Sequence, residues 1–255
     1  MDDKLKPSLA VYLIALADDE LILAHRHSEW CGHAPILEED IAFSNLCLDE
    51  IGHATIWYQL AADLLGEDRE TYPDQLAFFR DAEDFLNIQM VELPIGDWAF
   101  SMLRQYLFDA YEVIHLERLV TSKHKPIAEV ATKIRNEELY HLRHTRAWVH
   151  RLGLGTDESR TRMQRALDEL WPYALQLFAS PDNESLLVEA GLIPASTALQ
   201  TAWITSVVSH LEESGLKIPP VRQSDLTSRN EHSEHLPDLL AEMQKVARLV
   251  PGGVW

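Results

Sequence analysis

The sequence predicts an all-α protein: a four-helix bundle with additional helices towards the C-terminus. Three observations carry that expectation. Only ten Gly and twelve Pro occur in 255 residues, and the prolines stand between apolar-periodic stretches rather than inside them. Long stretches repeat Leu, Ile, Ala and aromatic residues at the three-and-four spacing of a helix face. Finally, Glu, Asp and His recur on those same apolar faces in a pattern that only helices can gather. A chain of this length can fill a full hydrophobic core. The expected organisation is one domain over residues 1–255, with a core bundle over about 8–152 and extra helices over 158–250.

In chain order, Pro7-Ser8 opens a first helix from Leu9 to about Arg26, with Asp18, Asp19 and Glu20 in mid-run. Asp18 and Asp19, like Glu38 and Glu39, read as solvated or helix-capping acids. Glu29 to Pro35 is a loop. Ile36 to Leu65 is one long helix closed by Gly66. A third helical pattern runs from Asp74 to about Glu92 and stops at Pro94 and Gly96. Asp97 to Ser122 forms the fourth. Pro126 suits the first turn of a fifth, which runs to Leu152 and stops at Gly153 and Gly155. Further helices are expected near Glu158–Phe178, Ser196–Ser214 and Glu234–Val250.

The formal net charge is −19, which opposes a phosphate backbone and argues against nucleic-acid binding. The longest apolar run, Leu9 to Ala17, is too short to span a bilayer, so no membrane partner is expected. The opening MDDKLKPS lacks the charged-then-apolar design of a secretory signal, and the expected location is cytoplasmic. Cys31 and Cys47 are the two cysteines and have no CxxC spacing, so neither a thiolate zinc site nor an iron–sulfur site can be built from them alone.

Two helices contain Glu-x-x-His: Glu50-Ile-Gly-His53 and Glu138-Leu-Tyr-His141. Residues three apart share a helix face, so each pair can offer a carboxylate and an imidazole to one metal ion. Around Glu50, the residues Phe43, Leu46, Cys47, Ala54 and Trp57 mark that face as apolar. Ala131, Ile134 and Leu142 do the same around Glu138. One such motif arises easily by chance, whereas two on separate long helices, both facing the core, do not. Ferritin-like two-metal bundles need a further carboxylate from each of the two remaining helices. Glu20 supplies one, among Leu13, Leu16, Ala17, Leu23 and Ala24. Asp109 or Glu112 supplies the other, on a face shared with Gln105, Tyr106 and Leu116. The spacing favours Asp109 and the longer reach favours Glu112. The expected ligands are therefore Glu20, Glu50, His53, Asp109, Glu112, Glu138 and His141. Oxygen and imidazole donors suit two iron ions, with manganese the alternative. Asp49, Arg135, Glu137 and His144 stand within a turn of a ligand and are candidate supporting residues. Trp30, Trp57, Trp98 and Trp148 read as packing anchors. Arg143, Arg146 and Arg151 read as an exposed basic face able to meet a phosphate-bearing ligand.

With these residues in place, the sequence resembles the ferritin-like subunits of the ring-1,2-phenylacetyl-CoA epoxidase of phenylacetate catabolism, and most of all the C-type subunit. The strings that carry the likeness are GHAPILEEDIAFSN (Gly32 to Asn45), RQYLFDAYEV (Arg104 to Val113), ELYHLRHTRAWVHRLG (Glu138 to Gly153), SEHLPDLLAEMQ (Ser233 to Gln244) and the closing Pro-Gly…Trp. The resemblance implies a multicomponent di-iron monooxygenase in which a catalytic A-type subunit binds the acyl-CoA substrate, a C-type subunit pairs with it in an oligomer, and a reductase component supplies electrons. C-type subunits are described as scaffolds that have lost metal ligands, whereas this sequence keeps the full set. Two alternatives stand beside the oxygenase component: a non-catalytic scaffold, and a stand-alone ferritin-like iron oxidase or di-manganese peroxide-consuming enzyme.

Overall fold

The structure, a computed structural model, describes residues 3–179, 181–220 and 228–253. The closing Trp255 of the resemblance lies outside the described residues. In order, the α-helices are α1 (Lys6–Ser28), α2 (Leu37–Leu65), α3 (Tyr72–Phe78), α4 (Gln89–Glu92), α5 (Trp98–Leu119), α6 (Lys125–Gly153), α7 (Asp157–Ala174), α8 (Glu184–Glu189), α9 (Ser196–Glu213), α10 (Leu236–Met243) and α11 (Lys245–Leu249). Short 3₁₀ turns occur at Asp3–Leu5, Ala82–Asp84 and Leu175–Phe178. Among the described residues there is no strand, so the protein is all-α, as the ferritin-like reading requires. The chain divides into two compact units: Met1–Pro94 with Arg229–Trp255, and Ile95–Ser228.

In the first unit α1 packs along α2. Pro7 lies in the first turn of α1, where its missing N–H has no intrahelical partner to lose. The turn between the helices needs Gly32 at φ +80°, and Asp40 holds it by accepting the Gly32 N–H at 2.7 Å. Gly66, left-handed at φ +77°, closes α2 by donating to the Ala62 carbonyl at 2.9 Å.

The expected third helix, Asp74 to about Glu92, is not continuous. It is α3, a 3₁₀ turn and the single turn α4, with extended backbone at Phe85 and Ile88. Side chains from α1 cause the break. Asp18 accepts the backbone N–H of Leu86, and Asp19 that of Ile88, each at 2.8 Å, so these donors leave the helical ladder. Asp18 also binds the Tyr58 hydroxyl and the Arg80 guanidinium, the latter at 2.5 and 3.0 Å. Asp19 binds Arg229 at 2.8 Å. Asp18, Asp19 and Glu39 are thus buried rather than solvated, while Glu38 stays exposed. Burial lifts the Asp19 carboxyl to about 6, against the pull of Arg229 and the Ile88 bond.

The same segment anchors residues 229–244. Glu92 accepts from His232 Nδ1 at 2.6 Å, from Asn87 Nδ2 at 2.9 Å and from the Ser233 N–H at 2.6 Å. His232 Nε2 lies 2.9 Å from the Phe85 carbonyl, so both ring nitrogens face acceptors, as in an imidazolium. The helix expected over Glu234–Val250 is interrupted at Gln244, which lies between α10 and α11. Its side-chain amide donates to the carbonyls of Ala77 and Arg80.

In the second unit α5 is buried without interruption from Ala99 to Val113, and α6, α7 and α9 pack on it. Asp97 caps α5 by accepting the Phe100 N–H at 3.0 Å. Trp203 of α9 donates to the Leu107 carbonyl at 3.0 Å and stacks on Trp171 of α7 at 5.4 Å. Helix α6 includes Gly153 rather than stopping before it. A Cβ there would lie 2.2 Å from the Ser214 carbonyl oxygen, so this close approach is what demands glycine.

Candidate metal centre

Each unit carries one acid beside one Glu-x-x-His pair. In the first unit, α1 presents Glu20 and α2 presents Glu50 and His53, all three buried. The three-residue step in α2 puts Glu50 and His53 on the side occupied by the buried Phe43, Leu46, Ala54 and Trp57, as their spacing predicts. One ligand atom from each of Glu20, Glu50 and His53 lies within 4.8 Å of the others. His53 Nδ1 stands 3.4 Å from Glu20 Oε2. Cys47, one turn before Glu50, points its sulfur at the Ala24 carbonyl at 3.2 Å. Burial pushes its thiol up to about 11, so it stays a neutral thiol and offers no thiolate.

In the second unit, α5 carries Asp109 and α6 carries Glu138 and His141, again all buried. His141 Nδ1 lies 2.9 Å from Glu138 Oε1, and a ligand atom of Asp109 comes within 4.8 Å of one on His141. Asp109 is held at both oxygens: Oδ1 accepts from Gln105 Nε2 and Oδ2 from the Thr145 hydroxyl, each at 2.6 Å. Glu112 is buried three residues further along α5 and is outside the group that converges to that distance. Thr145 is a hydrogen-bond partner of Asp109 that the sequence leaves unmarked, although it stands four residues after His141 on the same face. Gln105 sits one turn before Asp109 and reads from sequence only as part of the face.

The donor set of both half-sites is carboxylate oxygen and imidazole nitrogen. That composition fits hard or borderline cations such as iron and manganese, and no thiolate is present to favour a softer ion. Ionised carboxylates so deeply buried cost several kcal/mol unless neutralised or hydrogen-bonded, and a bound cation does this directly. Among the expected supporting residues, Arg135 bonds Glu117 at 2.9 Å, while Asp49, Glu137 and His144 are half-buried. Trp57 and Trp30 are buried, and Trp98 packs edge-on against Trp148 at 5.9 Å, so these tryptophans serve packing. Arg143, Arg146 and Arg151 are exposed, the last lying 4.7 Å over the Trp148 ring.

No helix among the described residues is long and apolar enough to cross a membrane. Over 249 residues the chain is 40% identical to the C-type subunit of 1,2-phenylacetyl-CoA epoxidase from Escherichia coli (strain K12), covering 97% of this chain and 99% of that protein. It is also 23% identical over 224 residues to the A-type subunit of the same epoxidase from the same organism, covering 86% of this chain and 71% of that protein. The match to the family described as phenylacetic acid catabolic protein extends over residues 1–255, and the chain belongs to that family.

Proposed function

We propose that this chain is a component of a phenylacetyl-CoA-type multicomponent oxygenase and that its buried carboxylate and imidazole groups hold two metal ions, iron foremost and manganese as the alternative. One observation carries the reading: two helix pairs, each with a buried acid beside a buried Glu-x-x-His, Glu20 with Glu50 and His53 and Asp109 with Glu138 and His141. This is the ligand economy of ferritin-like two-metal proteins. Bound iron would supply oxygen activation. The residues of the chain fix the carboxylates in place and surround them with apolar side chains that keep bulk water away. Thr145 and Gln105 orient Asp109 before any ion arrives. An A-type subunit, with a reductase component, completes the proposed assembly and carries the acyl-CoA substrate. Elemental analysis tests the metal reading. About two irons per chain are expected, and Glu50→Ala should lose them while keeping its helical circular dichroism. A metal-free wild-type chain would overturn the site.

A second reading has its own support. In the second half-site both oxygens of Asp109 already accept protein hydrogen bonds, and Glu138 meets His141, so protein groups already hold this half. That suits a scaffold subunit that stabilises a catalytic A-type partner. The paired change Glu50→Ala and His53→Ala separates the two. Activity lost with assembly intact marks a working metal site, whereas activity and assembly both retained mark a scaffold.

A further inference from the structure

Helix α6 turns a second face away from its buried one. Leu139, Leu142, Arg143, Arg146, Ala147 and His150 follow in steps of three and one, which places them on one side of the helix. With His210 of α9 they line an open recess of about 450 Å³, within the size range of small-molecule sites.

The charge of this recess runs against the rest of the chain. Acids outnumber Lys and Arg by 41 to 22, and the exposed Arg69, Arg160, Arg162, Arg165 and Arg248 each bond a carboxylate. Among the described residues, Arg143 and Arg146 bond none. Their own helix offers no acid one turn away, where Leu139, Tyr140, Leu142, Ala147, Val149 and His150 stand instead. Glu213 of α9 lies near His210 but accepts the Ser209 hydroxyl at 3.1 Å. Two like charges three residues apart repel, and an anion that both can reach relieves the repulsion.

His210 is the second, independent observation. Its ring is buried, and its Nε2 lies 3.1 Å from the Arg146 carbonyl, which can only accept, so Nε2 carries the proton. The ring also packs against Tyr106 at 5.1 Å and stacks on His150 at 6.2 Å and 28°. An imidazole pinned in this way gives the recess a fixed flat wall beside the two guanidiniums. Leu139, 39% exposed, supplies apolar surface beside it. We propose that the recess binds a phosphate monoester carried on a flat apolar body. Such a group bears about 1.5 to 2 negative charges at pH 7, which matches two guanidiniums better than the single charge of a carboxylate does. The apolar body lies against Leu139, Leu142 and the His150–His210 stack. The recess needs neither a metal ion nor a partner chain, so it stands or falls apart from the oxygenase reading.

Isothermal titration calorimetry of the full chain with phenyl phosphate tests it, beside inorganic phosphate and benzoate. Phenyl phosphate is expected to bind, with inorganic phosphate and benzoate about tenfold weaker or more. Arg143→Gln/Arg146→Gln should weaken phenyl phosphate at least about tenfold. Arg69→Gln/Arg160→Gln, the same change of charge elsewhere on the surface, should leave its affinity unchanged. Leu139→Ser should weaken phenyl phosphate about threefold and leave inorganic phosphate as in wild type. All five side chains are exposed, so the variants keep wild-type circular dichroism. Benzoate binding as tightly as phenyl phosphate would overturn the phosphate assignment, and inorganic phosphate binding as tightly would overturn the apolar body. Equal losses in the two arginine pairs would reduce the effect to net charge and overturn the site. Wild-type chain that does not bind phenyl phosphate would overturn it outright.

Discussion

Asp18 illustrates how much one buried acid can organise. It accepts the Arg80 guanidinium, the Tyr58 hydroxyl and the Leu86 N–H, and so joins α1, α2 and the segment after α3. Its charge is compensated at every side, which is the condition under which a carboxylate tolerates full burial. Asp18→Ala would leave the Arg80 charge nearly buried and the Tyr58 hydroxyl short of its acceptor. The expected loss is about 3–5 kcal/mol of unfolding free energy, read from urea denaturation. A loss below about 1 kcal/mol, the range of an exposed ion pair, would show that the network is dispensable. Asp109 is held by the same logic, with donors from Gln105 and Thr145 in place of a guanidinium. The candidate ligands themselves were legible in sequence because each lies on a helix whose apolar face is set by local spacing. Their hydrogen-bond partners were less so, because Thr145 is an ordinary helical residue until Asp109 comes within 2.6 Å of it.

At the scale of elements, the segment from Arg229 to Gln244 is held by the buried Leu236, Leu239 and Leu240 and by polar contacts, one of which involves a histidine whose pKa is raised. Burial opposes the charge on His232, but the Glu92 carboxylate and the Phe85 carbonyl outweigh it and hold its pKa above the ordinary 6.5. A folded-state pKa above the unfolded one means that the contribution of this pair is complete below pH 6.5 and is lost as pH rises through the raised value. The melting temperature should therefore fall more steeply as pH rises above 6.5 in wild type than in His232→Gln. Equal slopes would show that the pair does not tether the segment. The region from Asp74 to Glu92 shows why periodicity alone misplaced an element. Leu76, Phe85 and Ile88 are all buried, but a continuous helix would put Leu76 and Phe85 on opposite faces, and backbone N–H groups captured by Asp18 and Asp19 favour extended residues between short turns. Propensity is a weak prior, and a tertiary hydrogen bond to an ionised group overrides it.

For the molecule as a whole, the net charge of −19 is partly an interior matter, because Glu20, Glu50, Asp109, Glu112 and Glu138 are all buried. If cations neutralise these acids, the folded state is coupled to metal, since the unfolded chain has no preformed site. Exhaustive chelation of metal-loaded protein should lower the melting temperature by about 5 °C or more, and restored iron or manganese should reverse the fall. An unchanged melting temperature would mean that the acids are held by protein donors alone, as Asp109 already is. Local helix periodicity is enough to set the all-α class, the buried faces of α1, α2, α5 and α6, and the two Glu-x-x-His modules. Each of these follows from a repeat of 3.6 residues per turn, which needs no knowledge of distant neighbours. Long-range contacts, not spacing, bury Asp18 and Asp19 and break the third helix. Those outcomes depend on partners far away in the chain, Arg80 for Asp18 and Arg229 for Asp19. Local spacing can mark a face, but it cannot say which groups will meet it.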